Sequence, residues 1–263
     1  MAWVVGVASA AALAAGIGAG TASATVILNS NFNGSFDSWT ATTGTNATAT
    51  DTGAESAFTN TAGGASLDLT DSSTTSAYGP YNVNEPFVTS PTLTGFTSAD
   101  PLQVSFDFKA ITTTNQENYD LAVNSASGAD AFLTFYVASS ASPSTAQGSN
   151  TTGLGTANGS ISIGQWYHAT LSLSPSGAQT TWGYNIVNTS DVSVASESGL
   201  GFRHPGQAYA NLVAAFNNGY TASGGQFLID NVLVATPEPT AISLLALSGV
   251  GLLILKPRRR ARA

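Results

Sequence analysis

A nine-residue stretch in the middle of the chain alternates strictly between apolar and polar side chains. Because successive side chains of a β-strand point to opposite faces of a sheet, this alternation predicts a strand with one buried and one exposed face. Aliphatic and aromatic residues occupy one face, and Gln, Ser, Asp and Lys occupy the other. The stretch reads Leu102, Gln103, Val104, Ser105, Phe106, Asp107, Phe108, Lys109 and Ala110.

Similar apolar or alternating runs recur along the middle of the chain, separated by clusters of Gly, Ser, Thr, Asn and Pro. Many short strands without an amphipathic helix pattern predict an all-β domain. In a chain of this size we expect an antiparallel β-sandwich of jelly-roll type. We predict loop for Ser139 to Gly159, and loop or weak edge strands for Ala41 to Gly64. The runs cover residues 119–123, 131–138, 165–174, 181–187, 210–216 and 226–234.

The N-terminal residues have the composition of a secretion signal. Residues 3–20 are apolar or small and carry no charge. Ala22 and Ala24 then fit the small-residue pattern of a signal-peptidase site. We therefore expect residues 1–24 to form a signal helix that is removed after Ala24. An N-terminal membrane anchor is the alternative, because the basic residues that usually precede the apolar segment are missing.

The last 27 residues combine a Pro-Glu-Pro triplet, an apolar run and a basic cluster. The run from Ala241 to Leu255 has 15 residues. As a helix it would reach roughly 22 Å, which is short of the ~30 Å hydrocarbon core of a bilayer. We expect a short transmembrane helix whose cationic end stays on the cytoplasmic side. The basic residues are Lys256, Arg258, Arg259, Arg260 and Arg262.

This tail resembles the PEP-CTERM sorting signal of bacterial surface proteins, with its motif at 237–240, its helix at 241–255 and its basic tail at 256–263. The resemblance implies that Pro237, Glu238 and Pro239 are recognised by exosortase, a membrane-embedded processing enzyme. It also implies a membrane-anchored intermediate that is sorted to the cell surface or to an extracellular, exopolysaccharide-containing matrix such as a biofilm. A permanent short anchor is the alternative.

Charge and cysteine content exclude several functions for the domain between these two ends. Residues 25–236 contain two basic residues, Lys109 and Arg203, against 14 acidic ones, a net charge of −12. Nucleic-acid binding needs clustered cations, so we expect no nucleic-acid partner. The chain has no cysteine, which excludes disulfides, thiolate catalysis and cysteine-based zinc sites.

Three short segments combine apolar or aromatic residues with Asn, Asp, Gln or His: Leu28–Asn33 with Phe36 and Trp39, Phe227–Val232, and Gly164–His168. They resemble parts of known sandwich domains. The resemblance implies a concanavalin A-like or carbohydrate-binding-module-like jelly roll for residues 25–236. In some of these modules a first-strand acid and a closing-strand Asp help to hold a structural calcium ion. Here Asn33 replaces the acid, so Asp230 is a weak candidate for calcium, and we expect no other cofactor.

The sequence offers little for catalysis. His168 and His204 are its two histidines, and neither belongs to a metal-binding or nucleophile motif. A triad of nucleophile, histidine and acid would require tertiary contacts that the sequence does not show. We predict that His168 is a surface residue of the sandwich and that His204 lies in a turn-rich loop. We therefore expect no catalytic residues and a non-enzymatic protein.

The aromatic residues instead predict glycan binding, because sugar rings stack on exposed aromatic faces. Trp166 and His168 share one face of a predicted strand, and Trp182 and Tyr184 share one face of the next. If these faces adjoin, the four side chains form an aromatic platform for a glycan. The first hypothesis is an exported surface or matrix protein associated with extracellular polysaccharide. The alternatives are a carbohydrate-binding or adhesive module, and a glycan-active enzyme with an unrecognised site.

Overall fold

The computed structural model describes the middle of the chain with short gaps. Thr25 to Pro237 form one compact unit. Four predicted features lie outside the described residues. They are the signal helix with Ala22, the motif residues Glu238 and Pro239, the membrane helix 241–255 and the basic tail 256–263. In the described part, no helix has the length and apolar character needed to cross a bilayer. The described residues are 24–42, 47–54, 56–58, 64–71, 87–97, 100–112, 117–137, 144–150, 153–154, 158–174, 181–216 and 225–237.

The described residues form sixteen β-strands. The first eight are β1 (Val26–Ser30), β2 (Thr40–Thr42), β3 (Ala47–Ala54), β4 (Ala65–Asp71), β5 (Phe87–Thr89), β6 (Leu102–Thr112), β7 (Glu117–Ser125) and β8 (Gly128–Val137). The other eight are β9 (Ser144–Asn150), β10 (Gly153–Leu154), β11 (Asn158–Ile161), β12 (Tyr167–Ser174), β13 (Thr181–Asn188), β14 (Ser193–Gly201), β15 (Tyr209–Phe216) and β16 (Gly225–Ala235).

The strands build two sheets of eight strands each. Sheet A has the order β14-β13-β12-β6-β16-β4-β3, with β1 paired to β16. Sheet B has the order β10-β9-β8-β7-β15-β5-β2, with β11 paired to β9. The pairs are antiparallel, as in the neighbours β6 and β12 at the centre of sheet A. Strands that are distant in sequence therefore lie side by side in both sheets.

Large apolar side chains from both sheets fill the space between them. The ring of Phe108 on β6 lies 4.2 Å from the ring of Phe135 on β8. Tyr119 on β7 stacks on Phe227 of β16 with ring centroids 4.6 Å apart. Full burial of such a side chain contributes about 1.5–3 kcal/mol to folding. Because these contacts join sheet A to sheet B, the structure confirms the predicted all-β, antiparallel sandwich.

The edges of the sheets are where the sequence was least informative. The predicted loop from Ser139 to Gly159 contains β9, β10 and the start of β11, so that prediction is wrong in part. Gly148 of β9 is buried, and a Cβ there would lie 3.0 Å from Cη2 of Trp182 in sheet A. A glycine is therefore needed for the close approach of this edge strand, although glycine itself disfavours strands. The weak strands allowed between Ala41 and Gly64 are present as β2 and β3.

Candidate functional site

The predicted aromatic platform is wrong, because its two halves lie on opposite faces of sheet A. Register pairs Leu171 with Tyr184 and Leu173 with Trp182. Trp182 and Tyr184 therefore point into the core, where they are 2% and 4% exposed. Burial and the nearby Glu197 raise the pKa of Tyr184 to about 12. Neither ring offers a face on which a sugar could stack.

Trp166 and His168 lie on the outer face of sheet A, away from the core. Trp166 is buried, and the ammonium nitrogen of Lys109 lies 6.0 Å from the centre of its ring. The His168 side chain is 35% exposed, as expected for a residue on the sandwich surface. His168 pairs in register with Asp107 on β6 and with Val187 on β13. The outer face of sheet A thus carries a cation, an indole and an imidazole together.

A buried carboxylate fixes the orientation of His168. The Nδ1 atom of His168 lies 2.7 Å from Oδ1 of Asp107, which is 1% exposed. A carboxylate accepts hydrogen bonds, so Nδ1 carries a proton and donates it to Asp107. The hydroxyl of Thr170 lies 3.4 Å from Nε2. The position of Asp107 therefore sets both the tautomer and the direction of this imidazole.

Asp107 is the centre of a buried polar network. Its Oδ2 atom accepts hydrogen bonds of 2.7 Å from the Ser56 hydroxyl and from the Asn231 side-chain amide. Asn231 has a φ of 50° and lies where the β16–β6 register shifts at a bulge. Such bulges redirect side chains beside functional sites. The bulge places the Asn231 amide on the carboxylate that holds His168.

The loop that carries Ser56 brings an exposed aromatic ring to His168. Phe58 is 37% exposed, and its ring centre lies 5.8 Å from that of His168. Its backbone N–H donates to the Ser56 hydroxyl. We use the name His168 patch for the surface formed by Phe58, Lys109, Trp166, His168 and Thr170. Phe58 was missed by the sequence analysis because it lies in a Thr-, Ala- and Gly-rich segment without a strand pattern.

Asp230 and Asn33, the two positions that the family resemblance relates to calcium, both accept hydrogen bonds from backbone N–H groups. Asp230 pairs in register with Asp107 and is 2% exposed. Its Oδ2 accepts the Ser56 backbone N–H at 3.0 Å, and its Oδ1 accepts that of Asn231 at 2.7 Å. The Oδ1 atom of Asn33, the other position, accepts the N–H of Ala65. All three oxygens accept hydrogen bonds from backbone N–H groups, so these side chains secure backbone segments of the sandwich.

The order hydroxyl, imidazole, carboxylate in Thr170, His168 and Asp107 matches that of a catalytic triad. Acyl transfer also needs donors that stabilise an oxyanion, usually free backbone N–H groups. Strand β12 pairs with β6 on one side and with β13 on the other over this whole stretch. Its backbone N–H groups are therefore engaged in the sheet. What the described residues of β12 show is an oriented imidazole beside backbone N–H groups that are used in the sheet.

A second buried acid lies at the end of sheet B. Asp130 is 2% exposed, at a bulge where β8 changes register with β7. Its Oδ1 accepts the His204 backbone N–H at 2.6 Å, and its carbonyl accepts that of Arg203 at 3.0 Å. Burial raises the pKa of Asp130, and the contacts with His204 oppose that rise. His204 lies in a turn, as predicted, and this turn is fixed to Asp130.

Replacing Asp130 with asparagine is expected to change how stability depends on pH. A carboxyl whose pKa is raised by folding contributes stability below its unfolded pKa, and that contribution is lost as pH rises through the folded pKa. Asparagine cannot ionise, so the stability of Asp130→Asn relative to wild type should rise with pH across this window. Urea unfolding at a series of pH values measures the difference. A difference that does not change with pH would contradict the raised pKa.

No family model and no curated protein matches the chain. Solved structures do match. One is the CBM2 module of the evolved Dit of Lactobacillus casei BL23 phage J-1, with 10% identity and a TM-score of 0.54 over 81% of this chain and 96% of that one. Another is the conserved carbohydrate esterase of Shiga toxin-encoding bacteriophage phi24B, with 15% identity and a TM-score of 0.51 over 82% and 100%.

A protein of unknown function from Shewanella oneidensis MR-1 is also similar, with 13% identity and a TM-score of 0.52 over 80% of this chain and 86% of that one. At these identities the likeness is one of fold. Three chains with different descriptions thus resemble this protein in fold. The described part of the chain therefore has the sandwich fold of these proteins.

Proposed function

We propose that the protein is an exported surface or matrix protein that binds polysaccharide through the His168 patch. The observation that carries this proposal is the partly exposed imidazole of His168, bonded to the buried Asp107 beside the exposed ring of Phe58. A fixed polar group next to an apolar face suits a sugar ring, which offers hydroxyls at its rim and C–H groups on its face. Within the β-sandwich class, we propose that the domain is a concanavalin A-like jelly roll.

Preorganisation is the physical advantage of this patch. The imidazole loses little conformational freedom on binding, because Asp107 already restricts its orientation. The hydroxyl of Thr170 and the ammonium of Lys109 lie on the same outer face and can bond to neighbouring sugar hydroxyls. Two similar solved structures are described as a carbohydrate-binding module and a carbohydrate esterase, which supports a carbohydrate as the ligand.

The net charge of the domain favours an uncharged glycan. Fourteen acids against two cations give residues 25–236 a charge of −12, which repels a polyanion over a Debye length of about 8 Å at physiological salt. A neutral polysaccharide meets no such barrier. We therefore propose a neutral polysaccharide as the partner and no nucleic acid.

Export and sorting are part of the same proposal. The signal-peptide pattern ending at Ala24 and the PEP-CTERM-like tail support secretion, and they support processing by an exosortase-type enzyme at Pro237, Glu238 and Pro239. The compact unit ends at Pro237, which is exposed. Binding without turnover is the role we propose, since β12 lacks backbone donors for an oxyanion. An adhesive module and a glycan-active enzyme remain the alternative functions.

Removing the Phe58 ring is expected to weaken retention of the protein on immobilised neutral polysaccharide. The ring supplies the apolar face of the patch, and its loss should cost about 1.5 kcal/mol of binding, roughly a tenfold change. Affinity electrophoresis of Phe58→Ala in gels containing dextran, galactan or mannan measures this loss of affinity. Val192→Ala is the matched control, because Val192 is 55% exposed in the turn between β13 and β14.

Two results would overturn the proposal. Retention of Phe58→Ala equal to that of wild type, together with the same result for His168→Gln, would remove the His168 patch as the site. If the wild-type protein released acetate or reducing sugar from the same polysaccharides, it would be an enzyme that acts on them and not a simple binding protein. A loss in Phe58→Ala that Val192→Ala does not share supports the proposal.

A further inference from the structure

A depression on the outer face of sheet A lies at the far end of the strand that carries His168. It has a volume of about 180 Å³. Pockets that hold drug-sized molecules are usually larger, about 300–1,000 Å³, so this depression suits a single sugar unit or one of its substituents. Trp182 borders it, and six small residues form the rest of its lining: Ser172, Ser174, Thr181, Gly183, Ser198 and Gly199.

The depression lies where β14 departs from regular pairing with β13. The register of the two strands shifts between Trp182 and Tyr184. Two residues of β14, Ser198 and Gly199, therefore oppose Gly183 alone. A Cβ on residue 183 would lie 2.7 Å from a backbone carbonyl oxygen of β14, so this position requires glycine, and the missing side chain leaves the depression open. Bulges of this kind often lie beside functional sites.

The depression and the His168 patch share one face of sheet A. Side chains an even number of positions apart on a strand point to the same side, so Ser172 follows His168 and Thr170 along β12. At a rise of about 3.3 Å per residue, Ser172 lies about 13 Å from His168 along the strand. Ser172 pairs with Gln103 on β6 and with Gly183 on β13. One continuous stretch of sheet therefore connects the patch to the depression, over a distance longer than one sugar ring.

This stretch carries no charged side chain among the described outward residues of β6, β12 and β13, although the domain is strongly acidic. Its hydroxyl and amide groups can each donate and accept, as sugar hydroxyls do. On β14, Glu197 pairs with the inward-facing Tyr184, and its Oε2 atom is buried. A neutral chain that runs from the patch to the depression therefore meets uncharged polar groups, which are those of Ser105, Asn185, Gln103 and Ser172.

We propose that the depression is a second contact site for the polysaccharide that binds the His168 patch, and that the ligand is an extended neutral chain of several sugar units lying along β12. This inference rests on the proposed function for the class of ligand. One sugar unit lies on the patch, and another places a hydroxyl or hydroxymethyl group among Ser172, Ser174 and Ser198. Two linked contacts bind more tightly than either alone, because the second forms at a high effective concentration. A short oligosaccharide reaches only one of them.

The dependence of affinity on ligand length tests this inference. Isothermal titration calorimetry of the full-length protein compares disaccharides with octasaccharides prepared from dextran, galactan and mannan. For the polysaccharide that binds, the octasaccharide should bind about tenfold more tightly than the disaccharide. Ser172→Leu fills much of the depression and should remove this gain. Gln103→Leu is the matched control and should keep the gain, because Gln103 is exposed opposite Ser172 on β6 and lies outside the lining of the depression.

Ser198→Leu fills the depression from the side of β14 and tests the same site if Ser172→Leu does not fold. Equal affinity of the wild-type protein for disaccharide and octasaccharide would overturn the inference, and so would an undiminished gain in the two serine variants. The two sites fail separately. If Phe58→Ala binds the octasaccharide normally and Ser172→Leu does not, the His168 patch is wrong and the depression stands, and the reverse result leaves the patch alone.

Discussion

Replacing Trp182 with alanine is expected to lower the free energy of unfolding by about 3–5 kcal/mol, the range for a large aromatic side chain in a core. Trp182 is 2% exposed and lies between Tyr184, whose ring centre is 6.3 Å away, and the glycine position of β9. That glycine, Gly148, has no side chain that could fill the cavity. The local structure therefore has little means to collapse, which places the effect toward the upper end of the range.

Urea unfolding followed by intrinsic fluorescence and circular dichroism measures this loss. Thr181→Ala is the control, because Thr181 precedes Trp182 on β13 and is partly exposed. Under conditions in which the Trp182→Ala variant is still folded, its retention on polysaccharide should equal that of wild type. An aromatic platform would give the opposite pattern, with lost retention and unchanged stability. A stability loss below about 1 kcal/mol would contradict the inward orientation of Trp182.

The strands of the sandwich centre were predictable because each must bury one face. The alternating stretch from Leu102 to Ala110 lies within β6, and the run predicted over 226–234 lies within β16. In β6, Leu102, Val104, Phe106, Phe108 and Ala110 line the core, and in β16 Phe227, Ile229, Val232 and Val234 do so. Edge strands obey a weaker constraint, since they bury less surface. β9 is built from Ser, Thr, Ala, Gln, Gly and Asn, and nothing in that composition indicates a strand.

The site was less predictable than the fold, because it depends on which strands are neighbours. The sequence placed Asp107 and His168 each on the outward face of a strand. It could not show that the two strands pair or that these two residues stand opposite each other. The remaining partners come from still further away, and Asn231 reaches Asp107 from 124 positions along the chain. Its position also requires a bulge, which shifts the register that alternation alone would predict.

The error over the aromatic platform has the same origin. Alternation correctly indicates that Trp182 and Tyr184 share one face of their strand, but it does not say which face. An aromatic residue suits a core at least as well as a sugar-binding surface, and the two uses look alike in a sequence. The deciding information is the pairing of Leu171 with Tyr184, which is a tertiary property. Phe58 is the opposite case: it belongs to the patch but was not predicted, because its role depends on a loop contact with His168.

Removing the carboxylate of Asp107 is expected to be as damaging as removing a core aromatic. In Asp107→Ala, the donors on Ser56, His168 and Asn231 lose their shared acceptor. Breaking a buried charged network by deleting one member costs about 3–5 kcal/mol, because the groups left behind are desolvated and unpaired. Ser56→Ala removes one donor of several and should cost only about 1 kcal/mol. Urea unfolding of the two variants measures this difference.

Asp107→Asn keeps the side-chain shape and so remains measurable if Asp107→Ala does not fold. The amide has one acceptor oxygen in place of two, so its NH₂ group must face a donor on one side of the network. We expect an intermediate loss of stability and weaker polysaccharide retention, because His168 is no longer held in one tautomer and direction. A double-mutant cycle with His168→Gln isolates the pair. A coupling energy near zero would mean that Asp107 does not position His168, and the preorganised patch would lose its physical basis.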